Sequence, residues 1–350
     1  MIKALVLTCA SFFLAAVLVT GGAYWMYENI EKQPLQLEQD EVLLVNPGDT
    51  PRALLQELER REFIQGAVWL RSKWRLQKEV PAVQVGEYAL TPGMTLSDLL
   101  EKWRTGDMIQ HRITLVEGWN FARLRQALAQ NDVLEQQVSD WSSERIMQEL
   151  GYEGVHPEGR FYPDTYQFTR GQSDLDILRQ AGKRLHQVLE QEWAQRSDNL
   201  PYDTPEQALV MASIIEKETG VASERPAIAG VFVRRLNKRM LLQTDPTVIY
   251  GMGDAYQGRI TRADLQRPTP YNTYVIAGLP PTPIAMVGRA AIHAALHPED
   301  GDALYFVAKG DGSHQFSRTL QEHNRAVRDY QLKRRADYRS SPAPASRQDD

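Results

Sequence analysis

Cysteine is nearly absent from this 350-residue sequence, and the one example is Cys9. Cys9 lies in an apolar run without the upstream apolar stretch and small residues that lipidation would require, so it reads as an ordinary apolar-segment residue. The rest of the chain therefore has no disulfide and no thiol chemistry, and its stability must come from packing. A basic block is also missing. The 40 Lys and Arg are spread among 45 Asp and Glu, for a net charge of −5. A polyanion partner needs clustered cations, so nucleic acid is excluded as a main partner. No glycine-rich loop follows a strand in the manner of a nucleotide site, and no cofactor is implied. His293 and His297 are spaced i, i+4, but Ala294-Ala295-Leu296 between them lacks the glutamate of HExxH and no third ligand follows at metal spacing. A metal site is not expected there.

Charge is absent in a different sense from Ala4 to Tyr27, where no charged residue occurs. A bilayer core takes about 20 mostly apolar residues in a helix. Tyr24, Trp25 and Tyr27 sit where an interfacial aromatic belt would lie. A cleaved signal peptide is the rival reading, but its apolar region runs only about 7–15 residues and ends in small residues. This run ends in aromatics followed by Glu28 and Glu31, which favours an uncleaved anchor. Lys3 before the run places residues 1–27 as a cytoplasmic start and transmembrane helix, with the C-terminal bulk outside the cytoplasm. Residues 28–41 are polar and read as a stalk of about fourteen residues, reaching roughly 45 Å if extended. Residues 334–350, rich in Pro and Ser, read as a disordered tail.

Between these ends a pattern recurs. Val45-Asn-Pro-Gly48-Asp-Thr50 leads into Leu54 and Leu58. Leu90-Thr-Pro-Gly93-Met-Thr95 leads into Leu99 and Trp103. Leu115-Val-Glu-Gly118-Trp-Asn120 leads into Leu124 and Leu128. Each unit predicts a short strand, a glycine turn, an N-cap and a helix. Such units resemble LysM-type modules, which hold N-acetylated glycans, and residues 42–150 are assigned to a LysM-like α+β domain. Residues 151–333 form a second, mixed α/β domain. The fold class is therefore α+β with an N-terminal transmembrane helix.

The second domain carries the chemistry. Thr204-Pro205-Glu206-Gln207 predicts a helix start with a capping box, and Gly220 a stop. On a wheel at about 100° per residue, Ala208, Met211, Ile214 and Ile215 share one side, while Ser213, Glu216 and Lys217 fall on the other. Glu218 falls near the middle of the apolar side. A carboxyl that loses hydration has a raised pKa and can stay protonated near neutrality as a proton donor. The plainer alternative makes Glu218 part of a fraying last turn. Glu216 reads as a solvated or ion-paired residue.

Ile214-Ile215-Glu216-Lys217-Glu218-Thr219-Gly220 resembles the acid-bearing helix of lytic transglycosylases and goose-type lysozymes. The blocks around it make the likeness closer: Glu224-Arg225, Gln243-Thr244-Asp245-Pro246-Thr247-Val248-Ile249-Tyr250-Gly251, Tyr271-Asn272-Thr273-Tyr274, Gly278-Leu279-Pro280-Pro281, Leu304–Ala308, Gly312–Ser317 and Phe161–Tyr166. Together they resemble the endolytic murein transglycosylase family, MltG type. Thr282 departs from the pattern, which often has Gly after the two prolines. The resemblance implies non-hydrolytic cleavage of the MurNAc-β-1,4-GlcNAc bond in peptidoglycan, a 1,6-anhydro end, and Glu218 as acid and then base. It implies an inner-membrane, periplasm-facing location, with peptidoglycan strands as substrate and peptidoglycan synthases nearby. Gln243, Thr244, Asn272 and Ser317 suit hydrogen bonding to sugar hydroxyl and N-acetyl groups. Tyr250 and Tyr274 offer flat faces for sugar rings. A hydrolytic muramidase, with Asp164, Asp245 or Glu224 as second carboxylate, and a glycan-binding scaffold are the alternatives.

Overall fold

The computed structural model describes residues 2–78 and 80–332, and the side chains of residues 2–10 and 12 lie outside that description. The tail expected at 334–350 falls outside it as well. The chain divides into two compact units, Met1–His111 with Gln167–Gln172, and Arg112–Tyr166 with Ser173–Asp350.

The first unit opens with helix α1 (Ile2–Asn29). Among the described residues no helix is long and apolar enough to cross a membrane. Part of the run expected to do so, Ala4–Ala10 and Phe12, has undescribed side chains. Strand β1 (Glu41–Val45) is followed by α2 (Pro51–Arg60), α3 (Ala67–Gln77), β2 (Gly86–Leu90) and α4 (Leu96–Thr105). β1 and β2 are antiparallel, from Glu41 opposite Leu90 to Val45 opposite Gly86. Leu43, Val45, Tyr88 and Leu90 alternate inward and meet Leu54, Leu55 and Leu58 of α2 and Leu96, Leu99 and Trp103 of α4.

The supposed stalk is part of this unit. Ile30 and Leu35 are buried in its core. The Leu35 amide donates to Met94 O at 2.7 Å and Leu96 N donates to Gln33 O at 3.0 Å. Three aliphatic side chains in a largely polar segment, Ile30, Leu35 and the partly buried Leu37, bring it into the core, so the reach assigned to a free stalk does not apply.

Strands β3 (His111–Thr114) and β4 (Thr165–Phe168) pair as a two-stranded sheet, and the chain passes between units within both. The second unit continues with α5 (Phe121–Ala129), α6 (Ser143–Glu149), α7 (Asp174–Ala194), α8 (Pro205–Glu218) and α9 (Arg225–Asn237). After these come α10 (Asp245–Met252), α11 (Arg262–Gln266), α12 (Arg289–Leu296), the antiparallel pair β5 (Tyr305–Ala308) and β6 (His314–Ser317), and α13 (Leu320–Val327).

All three turn-and-cap units form as expected. Thr50, Thr95 and Asn120 accept from the amides of Ala53, Asp98 and Arg123 at 3.2, 3.2 and 2.9 Å. Gly48, Gly93 and Gly118 take φ of 91°, 88° and 76°, where a Cβ would be strained. The third unit nevertheless belongs with the second compact unit, so the boundary expected near residue 150 lies inside it. Backbone pairing decides this. Gly118 N donates to Met286 O at 2.9 Å, Met286 N to Trp119 O at 2.8 Å, and Leu115 N to Asp164 O at 2.9 Å.

At the centre of the second unit the middle of α8 is enclosed on every side. Its residues Ala208–Ile215 are all buried, Ser213 included, which corrects the two-faced helix expected from the wheel. A helix surrounded by protein has no solvent side to keep polar. Ser213 fits because its hydroxyl donates to Val210 O at 2.7 Å and accepts from Ile284 N at 3.0 Å. Helix α12 lies against α8 and offers buried Ala291, Ala294 and Ala295, while α8 offers Ala208 and Ala212. Small residues on both helices leave little room for added volume. Ala212→Leu should therefore lower the unfolding free energy by about 1–3 kcal/mol, read as an earlier urea midpoint. An unchanged midpoint would mean that the helices are not closely packed there.

Candidate active site

Helix α8 ends at Glu218 because Thr219 turns to extended backbone, with φ −142° and ψ 137°. Gly220 is not in the left-handed conformation expected of a glycine stop. At the other end Thr204 Oγ1 accepts from Gln207 N at 3.3 Å, while Gln207 Oε1 reaches one residue further back, to Asp203 N at 2.7 Å. Both ends of α8 are thus set by side-chain and backbone choices local to the sequence.

The Glu218 carboxyl is met by Thr244, whose hydroxyl donates a short hydrogen bond to Glu218 Oε1. Thr244 occupies the N-cap position of α10, but its side chain makes no capping bond there. The hydroxyl is committed to Glu218 instead. The Thr244 backbone is held on both sides. Its amide donates to Thr273 Oγ1 at 3.1 Å, and its carbonyl accepts from Thr247 Oγ1 at 2.8 Å. Thr244, Thr247 and Thr273 are all buried, so the donor that faces Glu218 has little freedom to move.

Burial pushes the Glu218 pKa up to about 7. The Thr244 bond and the positive charge of Arg235 pull it down, and the negative charge of Asp245 pushes it further up. Arg235, at the end of α9, is 7% exposed. Its guanidinium donates to Leu304 O at 2.7 Å and to Leu242 O at 2.8 Å. A buried cation thus sits within electrostatic range of a half-buried carboxyl, with carbonyls rather than carboxylates as its direct partners. Thr244 occupies Oε1, which leaves Oε2 as the oxygen from which a proton can leave.

The three carboxylates considered as a second catalytic group separate clearly. Asp164 is exposed and accepts from the amide of its neighbour Thr165 at 2.7 Å. Glu224 is committed to His314, accepting from its amide at 2.9 Å and facing its Nδ1 at 2.7 Å. Asp245 is exposed, is close enough to Glu218 to raise its pKa, and accepts from Tyr274 Oη at 2.7 Å. Glu216 has the ion pair expected of it, with Arg225 at 3.5 Å, but its side chain is 6% exposed rather than solvated.

The other expected sugar contacts divide. Gln243 is exposed beside Thr244, with φ 52°. Tyr274 is half-buried against Asp245. Asn272 is 1% exposed, and its amide group donates to the carbonyls of Asp264, Leu265 and Arg267 at 3.1, 3.1 and 2.7 Å. Its oxygen accepts from Tyr274 N at 3.0 Å. Asn272 therefore staples a loop and has nothing left for a sugar, which corrects the expectation for it. Ser317 is buried within β6. Tyr250 turns its hydroxyl to the Glu158 carboxyl, and its ring meets Tyr271 edge-on at 4.7 Å. Thr282, at the position of the family glycine, is used in the same region, its hydroxyl 2.8 Å from Tyr271 Oη.

Glu158 was not singled out from the sequence. It is 3% exposed and accepts from the amides of Phe121 and Gly159 at 3.1 and 3.3 Å. Burial pushes it up to about 7, against the pull of those amides and of Tyr250. Its only signal in the sequence was a carboxylate between the turn formers Pro157 and Gly159, next to an aromatic run.

Glu218 and Glu158 both have folded pKa values raised above the unfolded value. Their contribution to stability is complete below the unfolded pKa and is lost as pH rises through about 7. Thermal melts should therefore fall between about pH 5 and about pH 8. Glu158→Gln and Glu218→Gln should each flatten that fall, and an unchanged slope in either would contradict the burial assigned to it.

A model of the YceG-like family matches residues 43–329. An endolytic murein transglycosylase of Bacillus subtilis is 32% identical over 89% of this chain and 91% of its own length. One from Streptococcus pneumoniae is 24% identical over 91% of this chain, which spans 64% of that longer relative. The crystal structure of a YceG-like protein from Listeria monocytogenes superposes with a TM-score of 0.51 at 28% identity, over 83% of this chain and 99% of that one. With the motif blocks around Glu218 and a match across most of its length, this chain belongs to the YceG-like family.

Proposed function

We propose that this protein is an endolytic peptidoglycan lytic transglycosylase with Glu218 as its acid and base. The observation that carries this reading is the Glu218 carboxyl itself, half-buried, held by Thr244 and brought to a pKa of about 7. A group with that pKa is partly protonated at neutrality and can move a proton in either direction. In the proposed reaction Glu218 Oε2 gives its proton to the glycosidic oxygen as the bond from the MurNAc C1 to that oxygen breaks. The MurNAc 6-hydroxyl then attacks C1, and Glu218 takes the hydroxyl proton back. The products are a GlcNAc hydroxyl and a 1,6-anhydro-MurNAc end, and no water is consumed. Arg235 and Thr244 favour the ionised carboxylate that exists between the two steps. Gln243 and Tyr274, both near the acid, are the sugar contacts retained in this reading.

Glu218→Gln should lose at least about 100-fold in rate, with anhydro-ended fragments missing from mass spectra of digested glycan strands. Activity that needs protonated Glu218 falls as pH rises through about 7. Thr244→Val removes a bond that holds the pKa down, so its high-pH limb should move to higher pH. A limb that stays in place would remove Thr244 from the mechanism.

A second reading is favoured by one observation, the proximity of Asp245 to Glu218. Two carboxylates across a sugar can support hydrolysis. Hydrated reducing ends in wild-type digests, lost in Asp245→Asn, would establish a muramidase in place of the transglycosylase.

The cellular setting belongs to the same proposal. The uncharged run Ala4–Tyr27 supports an inner-membrane anchor with the bulk in the periplasm. The strand–turn–helix modules support a LysM-like glycan-holding part. An enzyme placed there would meet strands as they leave peptidoglycan synthases.

A further inference from the structure

The histidine pair set aside for want of a third ligand has one in three dimensions. Glu192, on α7, lies more than a hundred residues before His297, yet Glu192, His293 and His297 each bring a ligand atom to within 4.8 Å of the others. We propose that these three residues form a binding site for a divalent transition metal of the zinc class, bridging α7 and α12. The site lies outside the Glu218 machinery and does not depend on the proposed reaction.

The donor set is two imidazoles and a carboxylate, which suits zinc with water as a fourth ligand. Zinc bonds of roughly 2.0–2.1 Å place tetrahedral donors about 3.3 Å apart. His293 Nδ1 is already 2.8 Å from Glu192 Oε2. The two rings lie with centroids 4.3 Å apart at 30°, so closing the set needs small side-chain rotations. His293 is free to make them, its side chain being 58% exposed.

The surrounding groups orient the donors. Ser197 Oγ lies 3.2 Å from His297 Nδ1. A proton on Nδ1 shared with that hydroxyl leaves the Nε2 lone pair for a metal, as outer partners of metal-bound histidines commonly do. Arg289 donates to Glu192 Oε1 at 2.8 Å and to Gln191 Oε1 at 2.8 Å. It holds the carboxylate by one oxygen and leaves Oε2 toward the histidines. Metal binding at His293 Nδ1 takes the place of its hydrogen bond to Glu192 Oε2, and the neutral imidazole then carries its proton on Nε2. Without metal, Glu192 has Arg289 and His293 for partners, so its burial is compensated in both states.

The experiment is calorimetric titration of zinc chloride into the purified full chain, without a histidine tag and in non-chelating buffer. One zinc per chain is expected, with a cobalt(II) visible spectrum typical of four-coordination. His297→Ala and Glu192→Gln should lose that site, and Ser197→Ala should weaken it by about tenfold. Circular dichroism melts of each variant separate loss of ligand from loss of fold. His297 is at the helix end, so its variant keeps the test valid even if Glu192→Gln unfolds. No saturable binding, or binding unchanged by His297→Ala in a folded chain, would overturn the site.

Discussion

An ionised carboxyl at the end of a helix whose middle is enclosed is costly where protein replaces the water that would solvate it. Glu218 lies at the half-buried end of α8, three residues beyond the buried stretch Ala208–Ile215, which fixes the backbone that carries it. What remains is to stabilise the carboxyl locally. Thr244 does so through a hydroxyl that would otherwise cap its own helix, and Arg235 does so through charge. Each is buried and held by further bonds. The acid is therefore tuned by groups that cannot readily rearrange, which is the condition for a pKa set by structure rather than by solvent.

The rest of the second unit can be understood as support for that arrangement. Thr273 and Thr247 pin Thr244. Asn272 pins the loop that carries Thr273, through three carbonyls. At the far side of α10, Tyr250 is held by Glu158, which also satisfies the first amide of α5. Asn272 and Tyr250, which look like sugar ligands by type, thus spend their polar groups on the protein around Glu218. Buried polar networks of this kind are rigid when every member is satisfied.

Much of this was legible in the order of residues. Gly48, Gly93 and Gly118 with their caps at Thr50, Thr95 and Asn120 follow from local rules, since a cap bond spans three residues and a positive φ concerns one. Glu218 was legible by its position on α8 and by the motif around it. Glu158 was not, because its burial depends on Phe121 and Tyr250, distant in the chain. The stalk was misjudged for a similar reason. Ile30 and Leu35 are sparse apolar residues in a core built largely from later segments, the Leu35 amide bonding Met94 O.

The sequence by itself determined the helix starts, the glycine turns, the position of Glu218 at the end of α8 and the family blocks that surround it. These depend on chemistry confined to a few neighbouring residues. Tertiary structure alone decided which polar residues face inward, where one unit ends and the other begins, that Asp245 rather than Asp164 or Glu224 lies near the acid, and that Glu192 joins His293 and His297. Each of these is a matter of distance between segments far apart in sequence, and such distances are set by how α7, α8, α10 and α12 pack together.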